Sequence, residues 1–303
     1  MSAFDTVIVT GGAGFIGSHI AGQLTATATV TIYDDLSTGQ PANIPTETDL
    51  IEDSIRDRAH LRKIVKQADL IFHEAAQVSV QRSIENPVES HETNLDPMLT
   101  ILEAARDTDT RVVFASSAAI YGEPEYTPID EDHPKEPNSP YGLEKLTADH
   151  YCRLYHDLYG VEAVALRYFN VYGPGQQAGD YSGVISIFRE QALNDEPITI
   201  EGDGTQTRDF VHIDDVVQAN ILAATSDHSP GKAFNVGTGT QITIRKLAEA
   251  IKDATNSDSE IIHVEPREGD IEESVADISR ARETLGYEPE YEINKGIEAY
   301  LGD

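Results

Sequence analysis

Along the first half of the chain, short apolar runs alternate with longer stretches whose apolar positions recur every three or four residues. The runs at 6–9, 29–33, 70–73, 111–116 and 162–167 are apolar at successive positions and rich in β-branched residues. A strand apolar on both faces must be covered on both faces, which is the condition of a parallel sheet between helices. The stretches 55–67, 92–106 and 141–159 have the helical spacing. Strand and helix alternate, so the pattern predicts βαβ units and an α/β fold with a doubly wound parallel sheet. After Gly173 the rhythm changes: Gly and Pro become frequent and the apolar runs shorten. The expected division is a sheet domain over 1–173 plus about 208–237, with a smaller α/β lobe built from about 174–207 and 238–303.

Composition limits what such a fold can serve. The chain has 303 residues, 39% hydrophobic, enough for a sizeable core. It carries 22 basic and 53 acidic side chains, a formal net charge of −31. Such a surface repels nucleic-acid phosphates and anionic lipid, so neither is an expected partner. The longest acidic run is Asp130-Glu131-Asp132, and only eight of the basic residues are Lys. Dispersed carboxylates with few lysines suit molar salt, where screening acts over about 3 Å, and the chain reads as a halophile's protein; an acidic mesophilic protein is the alternative. The single cysteine, Cys152, excludes an internal disulfide framework, and ten histidines show no ligand spacing, so no metal is expected. The N-terminus has no basic region followed by an apolar stretch, and no segment approaches membrane-spanning length. The expected location is the cytoplasm.

The first strand runs into Gly11-Gly12-Ala13-Gly14-Phe15-Ile16-Gly17. Gly11 permits a tight turn, Gly14 lets backbone approach a pyrophosphate, and Gly17 lets the following helix pack closely on the sheet. The free N–H groups at that helix start attract phosphate. The second strand ends at Asp34, 17 residues after Gly17. A carboxylate there accepts hydrogen bonds from an adenosine ribose and repels a 2′-phosphate, which favours NAD over NADP; a solvated turn residue is the plainer reading.

Further along, Ser139 can cap a helix and Pro140 suits its first turn, so Tyr141 and Lys145 fall at i and i+4 on one face. A cation beside a phenol favours the phenolate and makes it a usable base; an ordinary surface pair has the same spacing. The strand 111–116 leads into Ser117, at the end of the sheet where ligands bind in doubly wound folds. Ser117 can therefore hydrogen-bond the oxygen that Tyr141 deprotonates.

With these motifs the chain resembles the extended short-chain dehydrogenase/reductase family, and more narrowly its UDP-glucose 4-epimerase group. The likeness continues through His73-Glu74-Ala75-Ala76-Gln77, Ser83-Ile84-Glu85-Asn86-Pro87, Ser116-Ser117-Ala118-Ala119-Ile120-Tyr121-Gly122, Leu166-Arg167-Tyr168-Phe169-Asn170, Arg208-Asp209-Phe210-Val211-His212 and Arg267-Glu268-Gly269-Asp270. The resemblance implies a Rossmann domain binding NAD and a lobe binding a UDP-sugar. It assigns the pyrophosphate to Gly11, Gly14, Phe15 and Ile16, with Gly17 behind them, and the adenosine ribose to Asp34 and Asp35. Asp53, Ser54 and Ile55 would lie by the adenine, with either Asp53 or Ser54 touching the base. Ala75, Ala76, Gln77, Asn94 and Ser116 would line the cofactor. Tyr141 and Lys145 would reach the nicotinamide ribose, and Tyr168 would abut the nicotinamide. Asn170, Arg208 and Arg267 would hold the diphosphate and Asp270 the uridine ribose. Arg forks suit a diphosphate, although either arginine could instead be a structural ion pair.

The implied chemistry is inversion at C4 of a UDP-hexose through a 4-keto sugar, with Ser117, Tyr141 and Lys145 catalytic. Related dehydratases carry an acidic pair after the hydroxyl at the strand end, and decarboxylases a nearby Glu; here those positions are Ala118 and Ala119. A UDP-glucuronate 4-epimerase is the closest alternative, and a non-catalytic NAD or nucleotide-sugar sensor a more distant one. Ser274, four past Asp270, would border the pocket at the hexose 2-position and leave room for an N-acetyl group. The family also implies a homodimer through helices 92–106 and 141–159, with Tyr151, Leu154, Tyr155 and Leu158 as packing positions.

Overall fold

The computed structural model describes residues 4–176, 183–266 and 271–302. Six strands, β1 (Thr6–Thr10), β2 (Thr29–Asp34), β3 (Asp49–Glu52), β4 (Leu70–His73), β5 (Arg111–Ser117) and β6 (Ala163–Tyr168), form one parallel sheet with a seventh, Ala233–Val236. From one edge the order is β3, β2, β1, β4, β5, β6, Ala233–Val236. The chain leaves β1 toward one edge, to β2 and β3, and returns to β4 on the other side. The crevice at the carboxyl ends of β1 and β4 is therefore a topological switch point, where such sheets bind ligands.

Alternation along each strand feeds two cores. Val7, Val9, Ile32, Phe72, Val113 and Leu166 pack under α1 (Phe15–Leu24) and the helix Ile213–Thr225. Ile8, Tyr33, Ile71, Val112, Phe114 and Ala165 face α2 (Arg58–Val65), α5 (Asp96–Arg106) and α6 (Pro140–Tyr159). Each fully buried large apolar side chain contributes about 1.5–3 kcal/mol. A third core, with Phe188, Ile198, Ile200, Leu247 and Ile251, sits in the C-terminal part. There the helices Val184–Leu193 and Ile244–Thr255 pack beside two small sheets. One pairs Ile198–Glu201 with Ile261–Val264; the other lays Ile242–Thr243 and Glu273–Ser274 on either side of Thr207–Arg208.

Two predicted helices change their bounds. The stretch 55–67 becomes helical only at Arg58, because the Asp57 carboxylate caps the amides of Ala59 and His60 at 3.1 and 3.0 Å. The stretch 92–106 is not one helix. It joins the end of α4 (Pro87–Asn94), which follows α3 (Val80–Glu85), to α5, with a break at Leu95. Pro97 has no N–H to continue the ladder, and its ring would clash with the carbonyl of Thr93. No described helix is long and apolar enough to cross a membrane, and no group of His, Cys, Asp or Glu suited to a metal ion occurs among the described residues.

Candidate active site

β1 delivers Gly11 to the switch point at φ +69°, a conformation that favours glycine. A Cβ on Gly11 would lie 2.7 Å from the Ala75 amide nitrogen, so the turn is pressed against the chain leaving β4. Gly14 opens α1 in an extended conformation, with no side chain capping the helix. A Cβ on Gly17 would sit 2.4 Å from the Gly11 carbonyl oxygen. Three glycines thus make a backbone cradle before an uncapped helix N-terminus, the arrangement that takes a phosphate group.

Asp34 ends β2 beside this cradle. Its Oδ2 accepts from the Ala13 amide at 3.0 Å and its Oδ1 from Leu36 at 2.8 Å. Burial pushes its carboxyl up, while those two amides act in the opposite direction. A carboxylate offers about four acceptor sites, so the two amides leave room for ribose hydroxyls. Asp35 is exposed and accepts from Ser37. The Asp53 amide donates to the Asp34 carbonyl at 3.1 Å, which places Asp53, Ser54 and Ile55 alongside. Asp53 pairs with His60, Ser54 is half-buried and Ile55 is buried. Cradle, uncapped helix and acceptor-rich Asp34 all fit a dinucleotide.

The chemical end lies across the sheet edge at β5 and α6. Ser139 caps α6 through a 3.1 Å bond from the Gly142 amide, with Pro140 in the first turn. Tyr141 and Lys145 are buried on one face, as their spacing predicts. The Tyr141 amide donates to Ser83 Oγ at 3.2 Å, and Ser117 Oγ, which accepts from the Ala119 amide at 3.2 Å, lies close enough to favour the phenolate. Lys145 Nζ donates to the Ala115 carbonyl at 2.7 Å and lies 5.8 Å from the Tyr141 ring centre. The expectation that Lys145 makes this phenol acidic is not met. Burial pushes Tyr141 up to about 12; Ser117 opposes that, and the Glu144 and Glu74 charges add to it. Burial also pulls Lys145 down to about 8, against the same two carboxylates. Both groups are enclosed, and desolvation is the largest influence on each.

The surrounding residues divide by what they touch. Asn94 Oδ1 accepts from the Gln77 amide at 2.8 Å, and its Nδ2 donates to the Gln77 carbonyl and to Glu144. Asn94 thereby fixes the loop carrying Ala75, Ala76 and Gln77. Both Gln77 amide atoms are buried with no protein partner, a donor and an acceptor left for a ligand. Ser116 points away from Ser117, toward buried Asp149 at 3.5 Å. The Tyr168 hydroxyl donates to Glu74 Oε1 at 3.0 Å and accepts from Asn220 Nδ2 at 2.8 Å. Asn170 Nδ2 donates to the Asp209 carbonyl at 2.9 Å, which brings Asn170 next to Arg208. Ser274 is buried in register with Arg208 on neighbouring strands. Arg267 and Asp270 lie outside the described residues. Sequence reasoning gave no role to Glu74, Glu144 or Asp209. Asp209 is buried and gathers the Thr238, Gly239 and Ala276 amides at 2.9–3.1 Å. On α6, Leu154 and Leu158 are 46% and 60% exposed, but Tyr155 is buried and bonded to Glu103, which corrects its expected place on a partner-facing surface.

A family profile described as "NAD dependent epimerase/dehydratase family" matches residues 7–237. The chain is 37% identical over 300 residues to UDP-glucose 4-epimerase of Mycolicibacterium smegmatis, covering 96% of this chain and 95% of the relative. The structure of UDP-glucose 4-epimerase from Thermotoga maritima with UDP-glucose superimposes with a TM-score of 0.94 at 36% identity, covering 98% of this chain and 97% of that one. UDP-N-acetylglucosamine 4-epimerase from Methanobrevibacter ruminantium, in complex with UDP-N-acetylmuramic acid, gives 0.94 at 37% identity, covering 100% and 98%.

Proposed function

Because the chain belongs to the NAD-dependent epimerase/dehydratase family, we propose that it inverts C4 of a UDP-hexose, interconverting UDP-glucose and UDP-galactose. The observation that carries this reading is Tyr141 as a phenol beside Ser117 and Lys145, with no acid where elimination would need one. Ser117 favours the Tyr141 phenolate, and Ala118 and Ala119 follow where elimination would need acids. Bound NAD would supply the acceptor for the C4 hydride and afterwards return it.

The protein's own groups do the rest. Tyr141, as phenolate, takes the proton of the sugar 4-hydroxyl while Ser117 hydrogen-bonds the same oxygen. Lys145 stays protonated below about 8 and offsets the phenolate charge. The resulting 4-keto sugar turns about its diphosphate, which Arg208, Asn170 and Arg267 retain. Once the opposite face of C4 has been reduced, Tyr141 gives the proton back to the C4 oxygen, and no net oxidation remains. The ionised phenol is unfavourable in the buried site, so ionisation must be driven by positive charge gathered there with the ligands. Gly11, Gly14, Phe15 and Ile16 would hold the pyrophosphate and Asp34 the adenosine ribose.

Ser274 beside Arg208 favours a second substrate, because a small side chain there leaves room for an N-acetyl group at C2. We therefore include UDP-N-acetylglucosamine in the proposed range. The test is direct: purified protein with its retained cofactor is incubated with UDP-glucose, and UDP-galactose is sought by chromatography. Absence of UDP-galactose, with a uronate converted instead, would replace the hexose reading by the uronate one.

A further inference from the structure

Glu144 lies between the two catalytic residues of α6, three positions after Tyr141 and one before Lys145, and the proposed chemistry leaves it idle. Its side chain is buried and turns toward α4. There its Oε2 accepts from Ser90 Oγ at 2.7 Å and from Asn94 Nδ2 at 2.8 Å, both residues being buried as well. Ser90 Oγ accepts in turn from Asn94 Nδ2 at 3.2 Å. Asn94 grips one residue of the chain leaving β4. Its Oδ1 accepts from the Gln77 amide at 2.8 Å, and its Nδ2 donates to the Gln77 carbonyl at 3.1 Å. An amide side chain can make that grip in one orientation only, because reversal would set a donor against the Gln77 N–H. Glu144 selects the same orientation, since an oxygen that accepts twice needs the amide's NH2 facing it.

The segment so held borders the dinucleotide site. A Cβ on Gly11 would meet the Ala75 amide nitrogen at 2.7 Å, and both Gln77 side-chain amide atoms are enclosed without a partner among the described residues. The segment is tied to α6 a second time. The Tyr141 amide donates to Ser83 Oγ at 3.2 Å, and Ser83 Oγ donates to the Val80 carbonyl at 2.6 Å. The stretch 77–83 is thus a strap with both ends linked by hydrogen bonds to the first turns of α6, which carry Tyr141 and Lys145. We infer that Glu144 is a positioning residue: through Asn94 it holds the Gln77 segment, and with it the cofactor side of the site, at a fixed spacing from Tyr141 and Lys145. This rests on the NAD-dependent 4-epimerase reading above. An apolar residue would pack between α4 and α6 equally well, but it would leave the buried Ser90 hydroxyl without its acceptor and the Asn94 amide with one bond fewer. A reaction that oxidises and then reduces the same carbon stalls if the reduced cofactor leaves in between, so cofactor retention is where a loosened strap shows.

Glu144→Met keeps the length of the side chain and deletes its acceptor. In the protein as purified, hydrogen–deuterium exchange over 74–83 should then quicken about five- to tenfold, the size of one lost hydrogen bond. Glu144→Gln keeps an acceptor oxygen and should exchange like the native protein. Ser90→Ala, a milder cut in the same network, should act in the same direction by less. Release of bound NADH, followed by its fluorescence, should quicken in the same order across the variants. In Glu144→Met, turnover should decay unless NAD is added, with KM for UDP-glucose unchanged. Adding Glu144→Met to Asn94→Ala should change exchange and release no further, because Glu144 acts through Asn94. If Glu144→Met lowers the denaturation midpoint yet leaves exchange over 74–83 and NADH release at native values, Glu144 only packs α6 and the inference is overturned; full additivity with Asn94→Ala overturns it as well. If no UDP-hexose is epimerised, the functional reading fails, while exchange and NADH release still decide the role of Glu144.

Discussion

Asp149→Asn tests how the catalytic helix is held on the sheet. Asp149 and Arg167 are 0% and 1% exposed. The guanidinium grips the carboxylate with two bonds, Nε to Oδ2 at 2.8 Å and Nη2 to Oδ1 at 3.1 Å. Its remaining nitrogen donates to the Tyr121 hydroxyl at 2.9 Å and the Glu131 carbonyl at 3.0 Å. Asparagine would turn one accepting oxygen into a donor facing a donor and leave a buried cation uncompensated. Breaking such a pair costs about 3–5 kcal/mol, a large share of the roughly 5–15 kcal/mol that stabilises a folded chain. Denaturant titration at constant high salt should show an earlier midpoint with an unchanged slope. Replacing both partners, Asp149→Leu with Arg167→Met, should recover most of the loss. Asp149 lies one turn past Lys145, and Arg167 precedes Tyr168, so kcat per folded molecule should fall as well. The reasoning is refuted if Asp149→Asn loses less than about 1 kcal/mol, the size of an exposed pair.

Tyr141→Phe should reduce kcat at least about 100-fold, the usual contribution of a general base, with KM little changed; near-normal turnover removes Tyr141 from the mechanism. Ser274→Tyr should suppress turnover of UDP-N-acetylglucosamine while sparing UDP-glucose, and equal effects on both would show that Ser274 does not line the 2-position. We propose that the exposed leucines of α6 join two copies of the chain. Leu154→Glu with Leu158→Glu should then convert a dimer to a monomer in analytical ultracentrifugation, and an unchanged sedimentation coefficient counts against that surface. At a net charge of −31, the denaturation temperature should rise steadily from low salt to about 1 M KCl, where screening shortens to about 3 Å; a flat response contradicts the reading of the composition.

The five strands read from the sequence are those with an unbroken run of at least three apolar or β-branched residues. The other two break that pattern for physical reasons. β3 is an edge strand with acids at both ends and Leu50 40% exposed, so its apolar content is too thin to register. Ala233–Val236 carries Asn235, fully buried because its side chain accepts from the Tyr121 hydroxyl at 2.6 Å and donates to the Ile129 carbonyl at 2.8 Å. Partners more than a hundred residues away cannot be read from a local window. The same limit divides the site. Tyr141 and Lys145 are legible because helical spacing puts them on one face. Glu74 reads as the polar end of a strand until Tyr168 is placed above it. The sign of the Tyr141 shift was misjudged because spacing reports a neighbour's charge but not the loss of water around both groups.

The acidic surface and the anionic ligands pose one electrostatic problem. A chain at −31 repels both a dinucleotide and a nucleoside diphosphate at long range. The described site answers with short-range donors rather than with surface lysines. The glycine cradle and the open end of α1 present N–H groups that act over about 2.9 Å, within the screening length even in molar salt. Repulsion from dispersed carboxylates acts over longer distances and is what salt removes first. Attraction and repulsion are thus separated by range, so the binding geometry need not change when the surface charge does. The same logic keeps Glu144 inside. A buried carboxylate is not screened, so only there can an acid hold Lys145 protonated at a salt concentration that would silence it on the surface.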